Sequence, residues 1–436
     1  MTTEATRILE TALEQRFGGT ARLTPSCRLG LIAALRAFFE PGDRLAMISP
    51  LCEVVGLSTL AAGLTPVFVD SQDTSPTIDV DALQGLEPDG IRGVLATNLY
   101  GLPEALVDLR ELCDRRGWTL IEDAAQILDS RAGDRCVGTF GDATVISFKK
   151  YFDEACGAVL CRKPDRQVAI DTFLAQRTER TGVKARARAR ILKLARGAGL
   201  GRLESSLRGA SAPRTVADAP TPQNTRVALS RQQLLSALQS DDPVEGMHEA
   251  LSMDDPAYRT FPPPAQLERL AAKVAGWDRL ADELRASGAR LRAAASEAGA
   301  RVVDSAHACL LAVPALFDDR DGVVAHLWRT ERLRIENIYN PPLTDWLPKE
   351  TFVDLRAYPQ RDLRWSRHLV PLPSAQAERC GRGLRGYRQN GKTASLDPSP
   401  RDTTTRGPDH ASTMPRNPGT TTKTRISSDD FLGERR

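Results

Sequence analysis

The first 165 residues alternate short apolar bursts with stretches of helical spacing, and few folds accommodate that alternation. The bursts are RLAMI (44–48), TPVFVD (65–70), GVLATNL (93–99), WTLIED (118–123), ATVISF (143–148) and GAVLC (157–161). Helical spacing covers about 3–17, 27–39, 52–62 and 104–116. Strands joined through helices of this length need right-handed crossovers, which predicts a layered α/β fold around a mostly parallel sheet. Sheets of this kind take their ligands just beyond the carboxyl ends of the strands. Residues that end a strand are therefore the first place to look for chemistry.

The remaining 270 or so residues of the 436-residue chain divide by composition. An arginine-rich segment and a proline-marked linker form an insertion at about 175–226, within a large domain expected over 1–260. Leucines and alanines at helical spacing predict one long helix over about 264–298, leading into a smaller C-terminal α/β domain that closes a 261–388 unit. Residues 389–436 are rich in Thr, Ser, Pro, Gly and charge, the composition of a disordered tail. A net charge of +3 on this length favours neither nucleic acid nor membrane as a partner. The arginine-rich stretch at 184–196 reads as a solvated helix face, with an anionic polymer as the competing reading.

Eight scattered cysteines without a CxxC pair read as free thiols of a cytoplasmic protein, and no metal site is expected. The N-terminus carries acids and lacks the apolar core of a signal peptide. GxSxG, HExxH and P-loop patterns are all missing, which leaves hydrolase, zinc protease and P-loop NTPase readings without support.

Two strand ends carry charge. IEDAAQ (121–126) places Glu122 and Asp123 at the end of an apolar run, with Gln126 a turn later. ISFKKYFDEACG (146–157) places Lys149 and Lys150 after another. An amine and a carboxylate meeting in one crevice suit pyridoxal phosphate, which needs a lysine for its aldehyde and an acid for its ring nitrogen. The phosphate also needs a helix start, and TPSCR (24–28) followed by LGLIAALRAFF offers one, with Ser147 as a further hydroxyl.

The blocks LTPSCRLGLIAAL, LYGLP, LIEDAAQILDS, VGTFGDATVISFKK, CGAVL, YRTFPPPAQLERL, IYNPPLTDW and HLVPLP occur in order from about residue 8 to 388. In them the chain resembles the DegT/DnrJ/EryC1/StrS family of pyridoxal-phosphate-dependent sugar aminotransferases, of fold type I. The resemblance implies a three-layer large domain, a smaller C-terminal domain and a homodimer. It implies Asp123 at the pyridine nitrogen, Gln126 at the ring oxygen, and Ser26, Cys27, Arg28 and Ser147 around the phosphate. Cys52 falls where the family often stacks an aromatic ring on the cofactor. The lysine of a shortened loop, Lys150 in preference to Lys149, would hold the cofactor as an internal aldimine and shuttle the proton. Tyr100, Asn337, Tyr339 and Asn340 are candidate substrate contacts, and Arg364 and Arg367 candidate grips for an anionic substrate group. The implied reaction takes an amino group from a glutamate- or glutamine-like donor to a keto-sugar, nucleotide-linked in the family, or to a related natural-product intermediate of secondary metabolism. Cys27 and Cys52 depart from the family pattern, as does Ala257 before Tyr258-Arg259. These departures motivate the alternative of a catalytically impaired relative acting as a binding partner.

Overall fold

The computed structural model describes residues 3–87, 90–179, 230–252, 255–305, 308–335, 339 and 341–389. The expectations for 184–196, 211–226, the tail beyond 389, Asn337 and Asn340 fall outside the described residues. The core is a sheet in the order β1 (Thr20–Thr24), β9 (Gly157–Cys161), β8 (Ala143–Ser147), β5 (Thr119–Ala124), β4 (Ile91–Thr97), β2 (Arg44–Met47), β3 (Thr65–Phe68) and β12 (Val353–Asp354). The pairs from β8 across to β12 are parallel; β9 runs antiparallel to both β1 and β8. The expected mostly parallel α/β sheet is present. A hairpin, β6 (Arg131–Ala132) and β7 (Arg135–Cys136), links β5 to β8. A second, antiparallel sheet of β10 (Arg301–Val302), β11 (Ala312–Leu316) and β13 (Leu369–Pro373) lies in the C-terminal part.

Helices α1 (Glu4–Phe17), α2 (Cys27–Phe38), α3 (Glu53–Ala61) and α5 (Leu106–Arg116) fall where helical spacing predicts them, and the pattern does not mark α4 (Val80–Gly85), α6 (Lys149–Phe152) or α7 (Pro164–Arg177). Their ends are chemically marked. Thr3 accepts the Thr6 N–H to start α1, Asp79 accepts the Ala82 N–H to start α4, and left-handed Gly117 stops α5. α2 is apolar on nearly every side and fully inserted, as a helix in the middle of a layered fold must be.

Two features differ from expectation. The single helix over 264–298 is two, Pro264–Val274 and Trp277–Glu297, broken at Ala275-Gly276, where glycine lowers the cost of leaving the helix. Strand β12 comes from the C-terminal stretch yet joins the edge of the large sheet through β3. Asp70 holds that stretch by accepting the N–H groups of Ala357 and Tyr358 at 2.9 and 2.7 Å. Buried Asp362 adds bonds to Ser71 at 2.6 Å and to Arg356 at 2.9 Å. Among the described residues no helix is long and apolar enough to cross a membrane, and all eight cysteines are free.

Glu104 is an interior titrating group with a stability consequence. One carboxyl oxygen accepts the Ile78 N–H at 2.8 Å, while the other is buried without a hydrogen-bond partner among the described residues. Burial raises its pKa from 4.5 to about 8, opposed by the Ile78 hydrogen bond. The folded state therefore keeps a proton that the unfolded chain releases above pH 4.5, and stability falls as pH rises from there to about 8. Glu104→Gln mimics the protonated acid, so its Tm should exceed that of the wild type at pH 8 and match it near pH 4.5. Thermal unfolding across that range, with equal slopes for both proteins, would refute the assignment.

Candidate active site

Every described residue singled out around the cofactor lies at one edge of the large sheet. β2, β4, β5 and β8 end there, β1 ends there to start α2, and β9 begins there. Register fixes the detail: Thr24 and Ser147 both face Gly157 across the ladders, and Thr97 faces Asp123.

Strand alternation separates the two acids of IEDAAQ. Glu122 is fully buried and accepts the N–H groups of Phe140 and Gly141 at 2.6 and 2.9 Å, so it shapes the turn before β8. Asp123 points to the other side. Its Oδ1 accepts the Ala125 N–H at 2.9 Å, closing the turn after β5. Burial raises its pKa from 3.8 to about 6, opposed by that hydrogen bond and by the ammonium of Lys150. Lys150 acts on the half-buried Cys27 as well: burial drives that thiol well above its usual range, Asp123 adds to the rise, and Lys150 and Arg28 oppose it. Asp123, Lys150, Cys27 and Arg28 thus share one electrostatic neighbourhood.

Lys149 and Lys150 are both exposed, as the opening residues of α6. Lys150 acts on Asp123 electrostatically from a solvent-open position and not from within the core. Tyr151, which follows it, donates its hydroxyl to the Gln126 carbonyl at 2.6 Å and so ties the lysine turn to the turn after β5.

At the start of α2, Ser26 donates its hydroxyl to the Tyr258 carbonyl at 2.9 Å and accepts the Leu29 N–H at 3.3 Å. Its proton is committed to the protein, so a ligand there meets the main chain of the first helical turn. Gly157 packs against that turn so closely that a Cβ would sit 2.5 Å from the Cys27 nitrogen and 2.7 Å from the Ser26 carbonyl carbon. Tyr258 is fully buried, its ring 5.7 Å from the Arg28 guanidinium and 5.3 Å from that of Arg259. Arg259 in turn is anchored on Glu245 at 2.6 Å and on the Val244 carbonyl at 3.1 Å. Sequence reasoning noted Tyr258-Arg259 but not its service to the helix start, which links positions 232 residues apart.

After β4, Tyr100 adopts a left-handed conformation (φ 59°, ψ 8°). Surrounding bonds dictate it: Gln126 Oε1 accepts the Tyr100 N–H at 2.7 Å, and the Tyr100 carbonyl accepts the Leu311 N–H at 2.8 Å. Gln126 then turns its amide N–H₂ to the Tyr339 hydroxyl at 2.6 Å, and the rings of Tyr100 and Tyr339 meet edge to face at 5.2 Å. Burial drives the Tyr339 hydroxyl well above the usual phenol range; the Cys52 thiol adds to the rise, Gln126 opposes it, and Asp123 and Glu53 add again. Tyr339 therefore shares the electrostatic surroundings of Cys52 and Asp123. The following residues dock through Leu343, whose N–H meets the Ser49 carbonyl at 3.0 Å, and Thr344, whose hydroxyl meets that of Ser49 at 2.9 Å. Arg364 lies apart from this cluster, paired with Asp73 at 2.9 Å.

Known proteins resemble this chain in sequence over its first part and in fold over most of its length. Residues 6–175 match the family model described as the DegT/DnrJ/EryC1/StrS aminotransferase family. A dTDP-3-amino-3,4,6-trideoxy-alpha-D-glucose transaminase of Micromonospora megalomicea subsp. nigra is 37% identical over 105 residues, which are 22% of this chain and 28% of that protein. A GDP-perosamine synthase of Vibrio cholerae is 31% identical over 108 residues, 24% of this chain and 29% of the relative. The matches therefore span about a third or less of the relatives' own length. A solved DegT DnrJ EryC1 StrS aminotransferase from Brucella abortus superposes with a TM-score of 0.60 at 15% identity, covering 89% of this chain and 91% of that one. That likeness shows a shared fold across nearly the whole described chain. The segment from α1 to α7 thus matches the model of the DegT/DnrJ/EryC1/StrS aminotransferase family, and beyond that segment the chain shares the fold of a solved protein of that description.

Proposed function

We propose that this protein is a pyridoxal-phosphate-dependent aminotransferase that moves an amino group from an amino acid, glutamate- or glutamine-like, to a nucleotide-linked keto-sugar or a related natural-product intermediate. The carrying observation is the juxtaposition of Asp123 and Lys150: a buried carboxyl at the end of β5 and a lysine just beyond the end of the neighbouring β8, close enough for its ammonium to act on that carboxyl. The names of the sugar-nucleotide transaminase and the perosamine synthase above support the acceptor class. Eight free cysteines fit a cytoplasmic setting. The family pattern supports a homodimer.

The residues fit the cofactor. Gly157, having no side chain, lets β9 pack directly on the main chain at the start of α2 and so holds that helix start, the kind of element that binds a phosphate, at the end of the sheet. Asp123, its pKa lifted to about 6, gains most when a cationic N–H arrives beside it. Pyridoxal phosphate, when bound, supplies an aldehyde carbon that captures amines and a cationic ring that withdraws electrons. The first turn of α2 and Ser147 would hold the phosphate. Asp123 would keep a proton on the ring nitrogen, and Tyr339 would supply an aromatic neighbour beside Cys52. Lys150 Nζ would take the proton from the donor's Cα and return it to the opposite carbon.

Titration with pyridoxal phosphate tests this reading through the visible band of a lysine-bound cofactor and its bleaching by glutamate or glutamine. Asp123→Asn should still bind the cofactor but lose roughly a hundred- to a thousandfold in turnover, because a neutral amide cannot stabilise the ring cation. A wild-type protein without the band would refute the enzyme and favour the cofactor-poor binding relative.

A further inference from the structure

The turn that carries Lys150 is gripped from outside the sheet. The helix Pro264–Val274 presents Gln266, Arg269 and Lys273 at spacings of three and four, so they share one face. Lys273 Nζ donates to the Phe152 carbonyl at 2.6 Å and to Glu154 Oε1 at 2.9 Å. Arg269 reaches Glu154 Oε2 at 3.4 Å, and Gln266 donates to the Ala155 carbonyl at 3.2 Å. The Glu154 side chain is only 7% exposed, so this acid is largely withdrawn from water between its two cations. Phe152 meanwhile packs its ring on Trp277, which opens the next helix, with centroids 5.3 Å apart.

The grip matters because of where the backbone turns. α6 is a single helical turn, and Asp153 ends it in a left-handed conformation (φ 52°, ψ 36°) that costs a non-glycine residue energy. The Phe152 N–H bonds the Phe148 carbonyl at 2.9 Å, and the Phe148 N–H bonds the Cys156 carbonyl at 3.0 Å. The carbonyls on either side of the strained residue, those of Phe152 and Ala155, are the ones that Lys273 and Gln266 hold. A turn this short has too few bonds of its own to fix one conformation.

We infer that Lys273 and Glu154 are positioning residues: through the turn that they pin, they set where Lys150 stands relative to Asp123. This rests on the proposed role of Lys150 and adds a mechanical link, since the helix that grips the turn runs on through Gly276 into the C-terminal part. A shift of that helix is passed to the reactive amine. An exposed ion pair alone contributes little. Here one partner is buried and the same ammonium also holds a backbone carbonyl, so its loss frees the turn.

Two measurements on the full-length protein without added cofactor test the link. Hydrogen exchange, followed by mass spectrometry over residues 146–157, should quicken roughly tenfold or more at the Phe152 and Cys156 amides in Lys273→Met. Competitive labelling of lysines should change the reactivity of Lys150 relative to Lys149, its neighbour and internal reference. Lys273→Arg, which keeps the charge and the donors, should restore both. After loading, Lys273→Met should lower kcat by roughly ten- to a hundredfold with KM nearly unchanged. Unchanged exchange overturns the proposal, and so does faster exchange with an unchanged Lys150-to-Lys149 ratio, because the pair would then be merely structural. If wild type shows no visible band with pyridoxal phosphate while exchange and labelling respond as expected, the cofactor reading fails and the clamp stands.

Discussion

Lys150→Ala should abolish the visible band formed with pyridoxal phosphate and reduce turnover by roughly a thousandfold or more, whereas Lys149→Ala should leave both nearly intact. The contrast follows from which ammonium acts on Asp123 and Cys27: Lys150 does so from the first turn of α6, and Lys149 is not among the charges acting on either. Both lysines are exposed, so neither removal opens a cavity, and both variants should unfold within a few degrees of wild type. Equal thermal stability makes the spectral difference interpretable. A visible band surviving in Lys150→Ala and missing in Lys149→Ala would reverse the assignment.

Gly157→Ala should be nearly as damaging for a different reason. The added methyl would lie 2.5 Å from the Cys27 nitrogen and 2.8 Å from its Cα, and both are main-chain atoms that cannot rotate away. β9 and the start of α2 would have to separate, at a cost of roughly 1–3 kcal/mol for overpacking in a close-packed interior. The same displacement spoils the cradle at the start of α2. Wild type should gain several degrees in Tm when pyridoxal phosphate is added, as any ligand of the folded state gives, and Gly157→Ala should lose most of that gain. A variant whose gain matches wild type would show that the phosphate lies elsewhere.

The alternation of apolar bursts with helical spacing was enough to read the sheet and to place Asp123 and Ser147 at strand ends, because both periods are local. The choice between Lys149 and Lys150 was not readable from alternation. The period of two ends with β8 at Ser147, and a helical turn of about 100° per residue replaces it at Lys149. The departure of β12 to the large sheet was hidden because a two-residue strand carries no period at all. The clamp on the lysine turn joins residues more than a hundred apart and leaves no local pattern. Its one sequence trace is Gln266, Arg269 and Lys273 on a single helix face, a trace that any solvated helix also bears. The commitment of Ser26 to the Tyr258 carbonyl was invisible for the same reason.

That commitment bears on how a site of this kind tolerates change over generations. If the phosphate is read by main-chain N–H groups, every residue except proline presents the same donor, and mutation at position 27 alters packing more than recognition. A cysteine can then stand at position 27 without removing a donor, and a motif search that weighs side chains will undervalue the match. The constraint has moved to the opposite strand, onto Gly157, where any Cβ would collide with the main chain of Ser26 and Cys27.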